Sequence, residues 1–197
     1  MTLRALADWT RGNVLYLREL VADGLRRGSL RKSKDVWVWH GGPSVATSLG
    51  ELIESRHSQL EPERLAALEM IAIGEPIPQA LARVCVDETL LESLELDGLV
   101  ERDHQLAVRV SHPLHAEVLR RRIPPTRSDR IRLELAAAFS AIQHREPHDE
   151  LRIALWRADA GSLDDAEAFT AAARRAWALR DTDLVERLAR AALRCGD

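Results

Sequence analysis

The sequence is poor in several features, and each shortage excludes a class of protein. Cys85 and Cys195 are the only cysteines, too few for a disulfide framework and without the spacing of a metal site, so we expect reduced thiols. No apolar run approaches the roughly 18 residues of a membrane-spanning helix, and the N-terminus lacks the residue order of a signal peptide. We therefore expect a soluble, cytoplasmic protein without a membrane partner.

Lysine is almost absent, and so are the glycine loops that bind nucleotides. Lys32 and Lys34 are the only lysines among 28 basic residues, a bias that fits an arginine-rich coding background better than a particular chemistry. Neither a GxxxxGK[ST] loop nor a GxGxxG loop occurs, so the chain should not hydrolyse a nucleotide by itself. The net charge of -3 gives no global attraction to nucleic acid or to an anionic membrane.

The first 47 residues are predicted to form one helix and one short strand. Apolar residues recur at helical spacing from Val14 to Leu25, which indicates an amphipathic helix. After a predicted loop at 29–34, the run from Asp35 to Trp39 is rich in β-branched and aromatic residues and indicates a strand. Trp37 and Trp39 would point to the same side of this strand, either into a core or toward a partner.

Residues 48–142 are predicted to form a winged-helix domain with a short β-hairpin. Periodic apolar residues indicate helices that begin near residues 48, 62, 76, 87 and 112, and Pro124-Pro125 separates the last of these from a further helix marked by apolar residues from Ile131 to Ile142. Between the fourth and the fifth of these, alternating residues at 99–102 and 106–110 flank a polar turn and indicate the hairpin. Helices followed by a hairpin are the elements of a winged helix, a variant of the helix-turn-helix.

The last segment, residues 148–197, is predicted to be tetratricopeptide-like. The polar stretch from Gln143 to Glu150 forms the boundary before it, and a break at Gly161-Ser162 separates its first helix from two more helices. Short, alanine-rich antiparallel helix pairs are the unit of helical-repeat arrays. Because one pair cannot cover its own apolar faces, we expect a segment of a longer protein or a shortened relative of one. The fold class expected for the whole chain is mainly α.

Few residues suggest catalysis or metal binding. His112 and His115, or His144 and His148, have the spacing that places two imidazoles on one helix face. No carboxylate or thiolate cluster accompanies either pair, and Cys85 has no activating neighbour in the sequence. We expect no enzyme activity, no metal and no cofactor.

Charges decide how the winged-helix pattern is interpreted. The presumed recognition helix, Asp87 to Glu101, contains six carboxylates and no lysine or arginine, so DNA phosphates would repel it. A basic patch follows, and its arginines are Arg120, Arg121, Arg122, Arg127, Arg130 and Arg132. This patch predicts either weak contact with phosphate or a surface for a protein partner.

The order of four segments resembles a known family. These segments are Arg11-Gly12-Asn13-Val14-Leu15-Tyr16-Leu17-Arg18-Glu19-Leu20, Leu49-Gly50-Glu51-Leu52-Ile53-Glu54-Ser55-Arg56, Leu94-Glu95-Leu96-Asp97-Gly98-Leu99-Val100 and Val110-Ser111-His112-Pro113-Leu114-His115-Ala116-Glu117-Val118-Leu119. In this order they resemble the large ATP-binding LuxR-type regulators of actinobacteria, which belong to the STAND ATPases of signal transduction. The resemblance covers nearly the whole chain. It implies an ATPase-lid helix, a winged-helix domain and the start of a tetratricopeptide-like sensor array.

The resemblance also limits which activities carry over. The nucleotide-binding core expected before Met1 and the LuxR-type DNA-binding domain expected after Asp197 are missing, so neither ATP hydrolysis nor operator recognition is implied for these residues. Ser111-His112-Pro113 resembles the methionine-histidine-aspartate motif of related STAND proteins, which implies that His112 senses a nucleotide when an ATPase core is present. The other interpretation of His112 is a histidine that caps or packs a helix start.

We therefore predict a non-catalytic interaction and regulatory module of a LuxR-type STAND transcriptional regulator. Its partner would be a protein or a flanking ATPase domain, and any DNA contact would be weak. Two alternatives stay open: a stand-alone winged-helix DNA-binding regulator, and a non-functional gene remnant. The acidic recognition helix favours the interaction module over the DNA-binding regulator.

Overall fold

The computed structural model describes residues 6, 10, 12–33, 36–40, 49–142, 147–163 and 165–195. Within these ranges the protein is mainly helical, with ten helices and two small antiparallel β-hairpins. The predicted mainly α fold class with a short hairpin is thereby confirmed. The chain divides into two compact units, Met1–Glu61 and Pro62–Asp197.

The first unit contains a helix, a hairpin and a second helix. Its elements are α1 (Val14–Arg26), β1 (Leu30–Ser33), β2 (Val36–Trp39) and α2 (Leu49–Ser58). The side chain of Asn13 accepts a hydrogen bond from the N–H of Tyr16 and caps α1, as Asn commonly does. The predicted loop at 29–34 was wrong, because Leu30–Ser33 is a strand paired with β2. Its polar sequence has no alternation that would have revealed it.

A buried ion pair joins the two helices of the first unit. Glu19 on α1 is 1% exposed, and its carboxylate accepts hydrogen bonds from Nη1 of Arg56 on α2 at 2.9 and 3.1 Å. Arg18 lies at 3.3 Å from the same carboxylate. Because a buried charge without partners is costly, this pair fixes how α1 and α2 pack.

The first hairpin packs on α1 through a glycine. A Cβ atom on Gly24 would lie 2.5 Å from Cζ2 of Trp39 and 3.1 Å from Cβ of Leu30. Only glycine therefore allows the indole to approach α1 this closely. Trp39 and Leu30 are register partners in the hairpin, so one contact positions both strands.

The second unit begins with three helices and a hairpin. Its first elements are α3 (Pro62–Gly74), α4 (Gln79–Cys85), α5 (Glu88–Leu96), β3 (Val100–Arg102) and β4 (Val108–Val110). Asp87 caps α5 by accepting hydrogen bonds from the N–H groups of Thr89 and Leu90. The carboxylate of Asp103 accepts hydrogen bonds from the N–H groups of Gln105 and Ala107 and holds the turn of the hairpin.

Ile77 was predicted to lie in the helix after Pro76, and this prediction was wrong. Ile77 forms an antiparallel bridge with Val108, whose carbonyl accepts the Ile77 N–H at 2.9 Å, and α4 begins only at Gln79. The reason is local, because a residue before proline favours an extended backbone. The bridge attaches the chain between α3 and α4 to the hairpin.

Five further helices complete the second unit within the described residues. They are α6 (Pro113–Arg122), α7 (Pro125–Ser140), α8 (Pro147–Asp159), α9 (Ala166–Ala178) and α10 (Thr182–Arg194). Asp165 and Asp181 cap α9 and α10 through their carboxylates. Residues 143–146 in the predicted boundary, and position 48 at the predicted start of the winged-helix domain, lie outside the described residues.

Apolar side chains fill the second unit along its whole length. Fully buried residues from α3, α4, α5 and α7 include Leu68, Ile71, Leu81, Leu94 and Leu135. A cluster at the other end brings together α8, α9 and α10 around Leu151, Phe169 and Leu188. Among the described residues, no helix combines the length and apolar character needed to cross a bilayer.

We predict that losing one member of the Glu19–Arg56 pair destabilises the protein far more than replacing both members with apolar residues. Glu19→Ala should lower the free energy of unfolding by about 3 to 5 kcal/mol, because it leaves the guanidinium of Arg56 without its buried carboxylate. The double variant Glu19→Met with Arg56→Leu should recover most of this loss, because both charges are then removed. Denaturant titration of the three proteins measures the difference. A double variant as unstable as Glu19→Ala would contradict the prediction.

Candidate interaction surface

His112, the predicted nucleotide sensor, lies at the start of α6. Its backbone is extended, and its Nδ1 accepts a hydrogen bond from the N–H of Leu114 at 3.2 Å. Pro113 follows as the first helical residue, where its missing N–H costs nothing. In this structure His112 therefore serves as a helix cap, which is the second of the two interpretations of this residue.

The predicted histidine pairs do not assemble a metal centre within the described residues. His115 is buried, whereas His112 is half-buried and uses Nδ1 as a cap. His148 is exposed with its Nε2 at 3.3 Å from Asp149, and His144 lies outside the described residues. No group of three or more metal-ligating side chains occurs in the part of the chain that is described.

Two arginines of the predicted basic patch pair with carboxylates on α3 or directly after it. Arg127 on α7 donates from Nε to Glu69 at 2.5 Å. Arg120 on α6 donates from Nε to the carbonyl of Ala72 at 2.7 Å and from Nη2 to the carboxylate of Glu75. These two side chains connect α6 and α7 to α3, so their charge is already matched inside the fold.

Most of the remaining patch arginines pair with carboxylates on their own helices. Arg121 lies 2.5 Å from Glu117, four residues earlier on α6. On α7, Arg130 lies 3.6 Å from Glu134, and Arg132 lies 3.2 Å from Asp129. Ion pairs of this spacing on a solvated face stabilise a helix by only a few tenths of a kcal/mol. Arg121, Arg122 and Arg130 are exposed, whereas Arg132 is half-buried.

Glu75 forms a junction that the sequence did not reveal. One carboxylate oxygen accepts the N–H of Val110 in β4 at 2.8 Å, and the other pairs with Arg120 of α6. The neighbouring carbonyl of Gly74 accepts a hydrogen bond from Arg152 of α8. We call Glu75, Val110 and Arg120 the Glu75 junction, because it ties the end of α3 to the hairpin and to α6. No local pattern around Glu75 could have indicated partners so distant in the sequence.

Beside this junction lies Arg152, a cation with a lowered pKa. Burial lowers the pKa of Arg152 to about 10, the carboxylate of Asp149 works in the opposite direction, and Arg109 adds to the lowering. Its guanidinium lies 4.8 Å from the ring centroid of Trp156, within cation–π range. Arg152 remains charged at neutral pH and holds α8 against the end of α3.

The acidic face of α5 is less charged than its sequence indicated. Glu95 pairs with Arg102 at 2.6 Å, and Asp97 pairs with Arg64 of α3 at 2.5 Å. Asp87 is committed to the cap of α5, and the hydrogen bond from the Thr89 hydroxyl, followed by those from backbone N–H groups, lowers its pKa.

Two carboxylates, Glu88 and Glu92, remain on the solvent side of α5. Both are exposed, and no ion pair to either of them occurs within the described residues. Leu96 is 89% exposed at the end of the same helix. An exposed apolar side chain near acidic groups is an arrangement suited to a protein partner and unsuited to phosphate. We define the α5 surface as Glu88, Glu92 and Leu96.

Comparison of the chain with protein-family models, with curated proteins and with solved structures gives no match.

We predict that Arg120 and Arg121, although adjacent, differ in their structural role. Arg120→Ala should lower the free energy of unfolding by about 1 to 2 kcal/mol, because Oε1 of Glu75 and the carbonyl of Ala72 lose the guanidinium that donates to them. Arg121→Ala should change it by less than about 0.5 kcal/mol, because its pair with Glu117 is solvated. Thermal and urea unfolding of both variants provide the measurement. Equal effects would mean that the Glu75 junction does not stabilise the fold.

Proposed function

We propose that this protein is a non-catalytic interaction and regulatory module in transcriptional control, of the kind found in LuxR-type STAND regulators, and that it acts in the cytoplasm. The observation that carries the proposal is the α5 surface. In the proposed winged-helix arrangement α5 is the recognition helix, and its surface exposes carboxylates instead of cations. The partner is a protein or an ATPase domain with a basic, partly apolar face.

The order of elements in the second unit supports a winged-helix arrangement. Three helices precede the β3–β4 hairpin, and the bridge between Ile77 and Val108 adds a third short extended segment beside it. In a helix-turn-helix variant of this order, α5 is the helix that would enter a DNA groove. Glu88 and Glu92 on that helix would face phosphates and be repelled by them.

The arginines of the basic patch also support a protein partner over DNA. Arg120 pairs with Glu75 directly after α3, and Arg127 pairs with Glu69 on α3, so using them to bind phosphate would cost their contacts within the fold. The remaining patch arginines lie on α6 and α7, separate from α5 in the sequence. DNA contact through them would be sequence-independent and sensitive to salt.

The first unit supports the resemblance to the lid region. Two of the family-like segments contain Glu19 and Arg56, and the buried ion pair brings these two residues together. The tetratricopeptide-like part of the proposal is supported by α9 and α10, a pair of adjacent helices with alanine-rich contact faces. Exposed Trp177 and Leu193 on this pair leave apolar surface for a neighbouring repeat or domain.

We predict that the chain binds duplex DNA weakly at low salt and loses this binding at physiological salt. The double variant Glu88→Lys with Glu92→Lys should bind about tenfold more tightly at low salt, because it removes repulsion and adds cations to α5. Fluorescence anisotropy with a labelled duplex of random sequence measures both. The control variant, Glu167→Lys with Asp183→Lys, carries the same charge change on α9 and α10 and should have a smaller effect.

The same surface can be tested in cells. A photoreactive amino acid at position 92 should cross-link to protein and not to DNA, whereas the same group at position 167 should not give that product. Nanomolar, sequence-specific DNA binding by the unaltered chain at physiological salt would overturn the proposal and favour the DNA-binding regulator. A cross-link from position 92 to DNA would do the same.

We predict that the chain binds neither ATP nor ADP with micromolar affinity. No GxxxxGK[ST] phosphate loop occurs in this sequence, and Nδ1 of His112 is used as a helix cap. Calorimetric titration with both nucleotides should give no heat of binding. His112→Ala should lower the melting temperature and leave this result unchanged. Micromolar binding that His112→Ala abolishes would contradict the prediction and identify His112 as a sensor.

A further inference from the structure

The two outer edges of the first hairpin differ in their protection against further pairing. β1 carries Arg31 and Lys32, and charged side chains on an edge strand oppose the addition of another strand. β2 has the sequence Val-Trp-Val-Trp, without a charge, a proline or a glycine. Within the described residues β2 pairs only with β1. β2 is therefore an uncharged edge in a hairpin whose other strand is charged.

The hairpin register shows which backbone groups point away from β1. The N–H of His40 donates to the carbonyl of Ser29 at 2.7 Å, so this pair is hydrogen-bonded. Because hydrogen-bonded and non-hydrogen-bonded pairs alternate in an antiparallel ladder, Val38 and Val36 also bond to β1. The N–H and C=O groups of Trp37 and Trp39 therefore point outward from the hairpin.

This arrangement allows β2 to pair with an antiparallel copy of itself. In that pairing Trp37 of each copy exchanges hydrogen bonds with Trp39 of the other, and Val38 meets its own copy on the two-fold axis. Both tryptophans of each copy lie on one face, so the pairing places aromatic side chains directly opposite each other, a favourable cross-strand pair. The strand is thus complementary to itself in sequence and in hydrogen bonding.

Apolar surface beside β2 would add to such a contact. Val36 is 62% exposed and Trp37 is 56% exposed. Between β2 and α1 lies an apolar groove of about 540 Å³, and its lining includes Val21, Leu25 and Trp37. A two-stranded hairpin is about 10 Å wide, the same as one helix, so two α1 helices fit side by side over four strands.

We propose that this protein forms a symmetric homodimer through antiparallel pairing of β2 with β2 of a second copy, giving a four-stranded sheet. The groove beside β2 accepts the exposed Trp37 side chain of the second copy. The contact uses only the first unit, and it is independent of the α5 surface. Its specificity comes from the outward backbone groups of Trp37 and Trp39 and from the absence of charge on this edge.

Sedimentation of the full chain over a range of concentrations tests the dimer. The unaltered chain should show a reversible monomer–dimer equilibrium. Trp37→Pro removes an outward N–H without removing a bond to β1, so it should raise the dimer Kd by about tenfold or more. The matched variant Lys32→Pro places proline in the register partner on β1 and should leave the dimer unchanged. Trp37→Lys, which keeps the backbone N–H and adds a charge, should also weaken the dimer.

Cross-linking tests the register independently of these variants. In the proposed pairing the two Val38 Cα atoms lie about 4.5 Å apart, within disulfide range, so Val38→Cys should form an intermolecular disulfide on mild oxidation. Arg31→Cys, the register partner of Val38 on β1, should not, because two strands would separate the two copies of that residue. A chain that is monomeric at all concentrations, or equal cross-linking of the two variants, would overturn the proposal.

Discussion

The contacts of the Glu75 carboxylate are the interactions on which the second unit depends most. The carboxylate accepts the N–H of Val110 at 2.8 Å with one oxygen and pairs with Arg120 with the other. A single side chain at the end of α3 therefore sets the position of the hairpin and of α6. Because α5 leads directly into β3, the same carboxylate also determines where the α5 surface lies relative to the helices that support it.

Local features of the fold could be predicted from the sequence because their causes are local. Asn13, Asp87 and Asp181 cap helices through residues two or three positions further on, and such spacing is visible in the sequence. The hairpin after α5 was visible through its change of periodicity. β1 was not, because a short polar strand has no signal of its own and is defined only by pairing with β2.

The sequence shows which charged residues the candidate surface contains, but it does not show which arginine pairs with which carboxylate. In the sequence, residues 87–101 are acidic and residues 120–132 are basic. In the structure, Arg120 pairs with Glu75, 45 positions earlier, and Arg127 pairs with Glu69, 58 positions earlier. Partners at such separations follow from how helices pack on α3, and a charge pattern along one segment does not contain that information.

At these contacts the choice of arginine over lysine has a structural reason. Arg120 donates at once to a backbone carbonyl and to a carboxylate, and Arg64 does the same with the carbonyl of Ser93 and the carboxylate of Asp97. A guanidinium has several donors in a fixed plane, whereas an ammonium is a point charge that cannot bridge two acceptors with the same geometry. Replacing these arginines by lysine would preserve the net charge and lose the connection between helices. Composition alone suggested only a coding bias, yet at these positions the shape of the cation is what the packing of α3 requires.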